Sequence, residues 1–249
     1  MDAVKRIYDN CRNAPRPFFS VVIATYNRSG LLGRALDSLL AQNERDWEAI
    51  IVDDGSTDGT STTILPYLMG GHRIKYFKKP HAGEVPSKNK GIRSASGRFV
   101  TFLDSDDEYG AEHLRHRKSL LLLDPAIKFL SGGAKVIGNP YVPDRFDSFK
   151  RAHLKDCVVG GTFFVDRRLL LSLHGFIEIP IGADANLYDR ILEAGVPMME
   201  TNISTYIYHH ETPGSITNGI SRRHRRARKA KGAWGKIGNE KVLMTNAGH

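Results

Sequence analysis

The 249-residue chain contains only two cysteines, Cys11 and Cys157. They lie far apart and match no zinc or redox spacing, so a disulfide framework is excluded and a reducing compartment is expected. No run of about 18 apolar residues exists to span a bilayer. The opening residues, among them Asp2, Lys5, Arg6, Asp9 and Asn10, do not read as a signal peptide. Together these absences lead to the expectation of a cytoplasmic protein. His72, His81, His113, His116, His153 and His174 form no zinc spacing and read as structural or exposed. Acidic residues are nearly missing from one end: residues 216 to 249 hold nine Lys or Arg against the single acid Glu240, which accounts for +8 of the net +9. The rest of the chain is close to neutral, and its length permits one large α/β domain or two small ones with a substantial core.

What is present is a repeated unit. Residues 1 to 17 end in Pro15-Arg16-Pro17 and read as an arm. Phe18 to Ala24 is then a nearly continuous apolar, β-branched run, as expected of a strand covered on both faces. Ser29 is positioned to cap a helix whose Leu32, Leu36, Leu39 and Leu40 form one stripe. Glu48 to Val52 reads as a second buried strand, followed by the polar loop Asp53 to Thr60. A third strand runs from Ile74 to Phe77, a helix lies around Asn89 to Ser96, and a fourth strand runs from Phe99 to Leu103. Strand, polar loop, helix, strand is the pattern of a parallel α/β sheet, which binds ligands at the C-terminal ends of its strands. No G-x-G-x-x-G or G-x-x-x-x-G-K-[ST] pattern follows either of the first two strands, which disfavours ordinary dinucleotide and Walker-type sites.

Two loops carry chemistry. The fourth strand stops at Asp104-Ser105-Asp106-Asp107, three carboxylates in four residues. On an extended backbone Asp104 and Asp106 fall on one side, where their mutual repulsion calls for a cation between them. A hard, oxygen-preferring ion such as Mg²⁺ or Mn²⁺ fits, particularly with a nucleotide diphosphate completing its shell. Alternatively, Ser105 and Asp107 cap the next helix. In the loop Asp53 to Thr60, Asp53 and Asp54 offer acceptors to a base or ribose, while Ser56 or Thr57 suits a helix cap.

The set Val21-Val22-Ile23-Ala24-Thr25-Tyr26-Asn27-Arg28, Ile51 to Thr60, Lys88-Asn89-Lys90-Gly91 and Phe102 to Asp107 resembles family 2 of the inverting glycosyltransferases, which have the GT-A fold. Order, spacing and identity agree across residues 18 to 110, and more weakly to about 217. The resemblance implies a Rossmann-like, mostly parallel sheet flanked by helices in one catalytic domain, 18–217. A nucleotide-sugar half (18–110) and an acceptor half (111–217) would divide it, and the basic tail, 218–249, would follow. It implies that Thr25 and Tyr26, with Asn27 beside them, line the nucleotide pocket. Asp54 would hydrogen-bond the base, with Asp53 next to it. Lys88, Asp104 and Ser105 would face the donor, Asp104 contacting the ribose, and Asp106 would bind the metal that bridges the diphosphate. Lys88 stands where the family has Arg, keeping the charge and losing the planar fork.

In the second half, Glu112 to Leu123 reads as an apolar-faced helix and Val158 to Val165 as a strand. Asp166 would cap a helix bearing Leu169, Leu170 and Leu173. Gly182 to Leu192 is similar to the family's Glu-Asp-x-Asp-Leu-x-x-Arg segment, which places Asp184 on the catalytic base, with Asp189 in reserve. Ala183 and Asn186 stand where the family has acids, and Asp184 also fits an N-cap of the helix Ala185 to Ala194. Tyr206, Tyr208, His209 and His210, before Ser215-Ile216-Thr217, are similar to a Tyr-Arg-x-His arrangement. By that similarity His209 or His210 would reach the metal or the diphosphate, His210 joining Asp106 as a candidate metal ligand, although a surface histidine pair fits as well.

The expected function is metal-dependent, inverting transfer from a nucleotide-sugar, UDP-linked, to a carbohydrate or lipid-linked acceptor in polysaccharide or glycolipid assembly. The alternative is a silent sugar-nucleotide-binding module. The tail suggests attachment to an anionic membrane surface at the cytoplasmic face. Nucleic acid is disfavoured, because Arg222 to Lys231 lacks interleaved aromatics.

Overall fold

The computed structural model describes residues 15–144, 147, 150–210 and 212. Most of the N-terminal arm, Cys11, Ser215-Ile216-Thr217 and the basic tail lie outside the described residues. The chain divides into two compact units, one formed by residues up to Lys135 with Val158–Tyr208, the other by Val136–Cys157 with the described residues from His209 onward.

The first unit is built on a seven-stranded sheet. In chain order its strands are β1 (Phe19–Thr25), β2 (Trp47–Asp53), β3 (Ile74–Lys78) and β4 (Phe99–Phe102), alternating with α1 (Leu32–Leu40), α2 (Thr60–Met69) and α3 (Glu84–Ser94). A two-residue strand, β5 (Glu108–Tyr109), and helix α4 (His113–Leu123) lead to β6 (Phe129–Ser131). Beyond the second unit's β8 (Tyr141–Pro143) and β9 (Arg151–His153), which follow β7 (Ala134–Ile137), come β10 (Phe164–Asp166), α5 (Arg167–Ser172), α6 (Ala183–Glu193), β11 (Met198–Glu200) and β12 (Tyr206–His209). The large sheet runs β11-β6-β10-β4-β1-β2-β3. Strands β4, β1, β2 and β3 are mutually parallel, and β10 enters antiparallel between β4 and β6. The expected mostly parallel α/β architecture is present.

Alternation along β1 sends Phe19, Val21 and Ile23 into one apolar layer with Leu32, Leu36, Leu39 and Ile64, and Val22 into the other with Ile50, Val52, Ile92 and Phe102. Both faces of the strand are thereby dry, so the sequence there is almost uniformly apolar. Register then aligns the strand ends: Thr25 lies beside Asp53, and Asp53 beside Lys78. Since Phe102 lies beside Val22, the acidic turn after β4 begins level with the last residues of β1.

Several local expectations change. Ser29 does not cap α1, which starts after Leu31 with no side-chain cap; the Ser29 N–H instead donates to Asp58 at 3.1 Å. Neither Ser56 nor Thr57 caps α2, whose N-cap is Gly59. Helix α3 starts at Glu84, ahead of the expected Asn89. The strand expected from Val158 shortens to Phe164–Asp166, because Gly160–Thr162 forms a 3₁₀ turn. Asp166 does cap α5, accepting from the N–H groups of Arg168 and Leu169.

Candidate active site

The loops after β1 and β2 are laced together. Asn27 adopts a left-handed φ of 50°, which suits a short polar side chain. Its N–H donates to Ser56 Oγ at 2.9 Å and its Oδ1 accepts from the Thr57 N–H at 2.8 Å. Asn27 therefore shapes the loop pair from within. Tyr26 is 42% exposed and stacks on His81 with centroids 4.1 Å apart, presenting an aromatic surface at the strand ends. Thr25 is buried, and its Oγ1 has no protein partner.

The two adjacent aspartates differ. Asp53 is fully buried, accepting from the Ser56 N–H and the Tyr76 hydroxyl, both at 2.7 Å; it braces the loop and presents no open oxygen surface. Asp54 gathers the segment after β3, accepting from Lys79, from the Ala82 N–H at 3.0 Å and from the Gly83 N–H at 2.7 Å. Burial pushes the Asp54 carboxyl up, but these donors outweigh it and hold the group below the usual range. Asp54 thus fixes the segment that carries His81 under Tyr26.

Residues Asp104 to Asp107 are not extended. A turn closes with the Asp107 N–H donating to Asp104 C=O at 3.0 Å, so it is a turn that brings the acids together. The Asp107 side chain points inward and accepts from the Tyr206 hydroxyl at 2.6 Å. It caps no helix, and α4 begins after Glu112 without a side-chain cap. Ser105 is buried. Asp104 and Asp106 face the site. The Asp106 carboxyl is raised by burial first and by the Asp104 charge second, with Arg28, 3.9 Å away, opposing.

Lys88 is the hub. It is 3% exposed, and its Nζ lies 2.6 Å from Glu84 and 3.2 Å from Asp104, over the rings of Phe102 and Phe176. Burial pushes the ammonium down, but Asp104, Glu84 and Asp184 more than reverse this and keep it charged. Asp184 belongs to the same cluster. It lies inside the first turn of α6, where Gly182 is the N-cap, so it is not a capping residue. Burial pushes its carboxyl up to about 6; Lys88 opposes, and Glu84 and Asp104 add to the rise. Room for this carboxyl comes from Gly160, where an added Cβ would lie 2.4 Å from Asp184 Cγ.

The structure therefore assembles Lys88, Asp104, Asp106 and Asp184, segments separated by up to about 100 residues of sequence, at one end of the sheet. His210 belongs to the second unit, where it is buried and its N–H donates to Ile137 C=O at 3.1 Å. Among the described residues, no group of three or more His, Cys, Asp or Glu side chains is poised to hold a metal. The neighbouring carboxylates of Asp104 and Asp106 would suit a hard divalent cation, which prefers oxygen ligands. Burial first and the Asp104 charge second raise the Asp106 carboxyl, and a cation beside it would oppose both.

Residues 20–127 match the sequence model of Glycosyl transferase family 2. This stretch, less than half of the chain, is similar to that family. An Escherichia coli relative, UDP-Glc:alpha-D-GlcNAc-diphosphoundecaprenol beta-1,3-glucosyltransferase WfgD, is 32% identical over 157 residues, 61% of each chain. A Campylobacter jejuni relative, GalNAc(5)-diNAcBac-PP-undecaprenol beta-1,3-glucosyltransferase, is 43% identical over 94 residues, 37% of this chain and 30% of that protein. The chain thus spans less than two thirds of the length of either relative. Among solved structures, S. aureus TarS in complex with UDP-GlcNAc superposes with a TM-score of 0.64 at 22% identity, covering 80% of this chain and 60% of that one. The mannosyltransferase PcManGT from Pyrobaculum calidifontis, in complex with GDP-Man and Mn²⁺, gives 0.64 at 21%, covering 85% and 61%. The fold is GT-A.

The roles of several residues were not legible in the sequence. Glu84 lies one helical turn before Lys88 and would have been visible as an i,i+4 pair had the helix start been placed correctly. Asn89 and Arg190 both grip the turn after α5, Arg190 donating to the Leu173 and Gly175 carbonyls at 2.6 Å. Tyr206 has its acidic partner 99 residues away, a contact no local signal encodes.

Proposed function

We propose that this chain transfers a sugar from a UDP-linked nucleotide-sugar to an acceptor hydroxyl with inversion. The single observation that carries the reading is the placement of Asp184 beside Lys88 and Asp104, with its carboxyl raised to about 6. A carboxylate of that basicity is ionised at neutral pH and still able to take a proton. Asp184 removes the acceptor proton; the acceptor oxygen forms the new bond to the anomeric carbon as the bond to the diphosphate breaks, and UDP departs with the electron pair. Attack opposite the leaving group inverts the carbon.

Thr25, Tyr26 and Asp54 support the nucleotide end in this reading, Tyr26 offering its ring face and Thr25 an unused hydroxyl. Asp104 and Asp106 would hold Mn²⁺ or Mg²⁺, which supplies positive charge for the departing diphosphate. Lys88 keeps Asp104 oriented and balances the excess of carboxylates around it.

The relatives' names, which carry undecaprenol diphosphate, support a lipid-linked acceptor; this reading sets the reaction in polysaccharide or glycolipid assembly at the cytoplasmic face of a membrane. No helix among the described residues is long and apolar enough to cross one. The seven Lys or Arg between Ser221 and Lys231 would supply salt-reversible attachment to anionic lipid. Liposome pelleting that is unchanged when the chain is truncated at Ser221 would remove the tail from this role.

The test of function is a nucleotide-sugar thermal-shift panel with and without Mn²⁺, followed by transfer assays with the stabilising donor. A UDP-sugar that stabilises the protein only with the ion, and is then turned over, is the expected result. Stabilisation without turnover would point to a silent binding module; no stabilisation by any nucleotide-sugar would overturn the proposal.

A further inference from the structure

The acidic turn is tied down from behind by an aromatic group that the sequence places far away. Strand β12 pairs with β5 so that Tyr206 lies opposite Tyr109. The two rings meet edge to face at 5.8 Å, and His113 stacks on Tyr109 at 4.1 Å. His113 Nδ1 bonds Thr205 Oγ1 at 2.9 Å, next to Tyr206, and the Tyr109 hydroxyl donates to Phe102 C=O at 2.8 Å, where the acidic stretch begins. Tyr206 is fully buried, so its hydroxyl has one place to go. It donates to Asp107 Oδ2 at 2.6 Å and accepts from the Asp104 N–H at 3.4 Å.

These two bonds grip the first and last residues of the turn that carries Asp104 and Asp106. The approach depends on Gly161, because a Cβ there would lie 2.2 Å from the Tyr206 hydroxyl. The preceding glycine makes room for the Asp184 carboxyl in the same way. One pair of adjacent glycines therefore sets the positions of both the candidate base and the brace of the acidic turn.

We infer that Tyr206 is a positioning residue, its hydroxyl holding the Asp104–Asp107 turn in the shape that binds a divalent cation together with a nucleoside diphosphate. The inference rests on the proposed function, since it concerns the same ion site. Groups one step removed from a metal ligand typically change metal affinity by about 10- to 100-fold when lost, and the Tyr206 hydroxyl bonds both ends of this turn, which Arg34 also holds through the Asp106 carbonyl.

The test uses the full chain and Mn²⁺ with UDP as probes, with affinities from isothermal titration calorimetry. Tyr206→Phe keeps the ring in the core and removes only the hydroxyl. The expected result is Mn²⁺ affinity in the presence of UDP weakened about tenfold or more, with UDP affinity in the absence of metal within about twofold of the parent. Tyr67→Phe serves as the control for generic loss of a tyrosine–aspartate bond, since Tyr67 bonds Asp37 at 2.8 Å between α1 and α2; it leaves Mn²⁺ affinity unchanged. Asp107→Asn attacks the same bond from the other side and decides the matter if Tyr206→Phe does not fold. Where both fold, the double variant is no worse than the weaker single. Parental Mn²⁺ affinity in Tyr206→Phe, or in Asp107→Asn where the former does not fold, would overturn the inference alone. A parent that binds no Mn²⁺ with UDP would overturn the proposed function and the inference with it.

Discussion

Asn89 holds the backbone of Phe176 by both ends. Its Oδ1 accepts from the Phe176 N–H at 2.9 Å and its Nδ2 donates to the Phe176 carbonyl at 2.8 Å, 87 residues along the chain. The ring so fixed lies 5.4 Å from Lys88 Nζ and packs against Phe102. A residue inside a sequence motif is thus a strut between α3 and the turn after α5, and it supports the Lys88 hub indirectly.

Asn89→Ala removes both bonds and leaves the Phe176 peptide groups without their partner. The expected loss is about 2 kcal/mol of stability, at about 1 kcal/mol per bond, with UDP-sugar affinity reduced as Lys88 loses its backing. Urea denaturation and calorimetric titration measure the two effects. A stability change under about 0.5 kcal/mol, the size of an inconsequential surface substitution, would mean that the strut is dispensable.

Asp106 carries its charge against burial and against Asp104. A carboxyl whose folded pKa lies above its unfolded value opposes folding when ionised, so Asp106→Asn leaves the metal-free protein equally or more stable at pH 7. The same change removes a hard anionic ligand, and Mn²⁺-dependent stabilisation by UDP disappears together with transfer. Thermal melts with and without the ion read both outcomes. Activity that survives the substitution, and is untouched by EDTA in the parent, would dismiss the ion from the mechanism.

With Asp184 raised to about 6, its proton must be gone for it to act as a base. The expected kcat/KM therefore falls as pH drops through about 6 and levels off above, since this ratio reports the free enzyme. Asp184→Asn keeps UDP binding near the parental value and lowers turnover by orders of magnitude, because the carboxylate acts on the acceptor. Equal losses in donor binding and turnover would assign Asp184 a structural part instead.

At the opposite end of the sheet, Glu48 is buried and accepts from Ser20 Oγ at 2.7 Å, the Ser96 N–H at 2.6 Å and Lys75 at 2.8 Å. Burial raises the Glu48 carboxyl, and these donors more than compensate, placing it below its ordinary value. A depressed folded pKa gives stability that is present above the unfolded value and lost as pH falls through the folded one. Glu48→Gln is expected to cost about 2 kcal/mol at pH 7 and to flatten the decline in stability below about pH 4.3. Denaturation midpoints across pH 3 to 7 that run parallel in parent and variant would refute this.

The apolar strands, their order and the polar loops at their C-terminal ends are legible in the chain alone. Each is a local matter: β1 and β2 are covered on both faces, so their patterns are continuous runs, each closed by a polar residue, Thr25 or Asp53, as the chain turns into its loop. The acidic stretch after β4 was legible for the same reason, and so was the Asp166 cap. Tertiary structure decided which acids face the site. Asp53 and Asp54 are neighbours of identical chemistry, yet Tyr76 and Ser56 claim one while Lys79, Ala82 and Gly83 claim the other. Asp107 turns inward because Tyr206 arrives from β12, and Asp184 is lifted to about 6 because Gly160 lets it lie deep beside Glu84 and Asp104. The difference is one of range: an apolar pattern records burial within a few residues, whereas most partners that orient or titrate these carboxylates come from segments about 20 to 100 residues away.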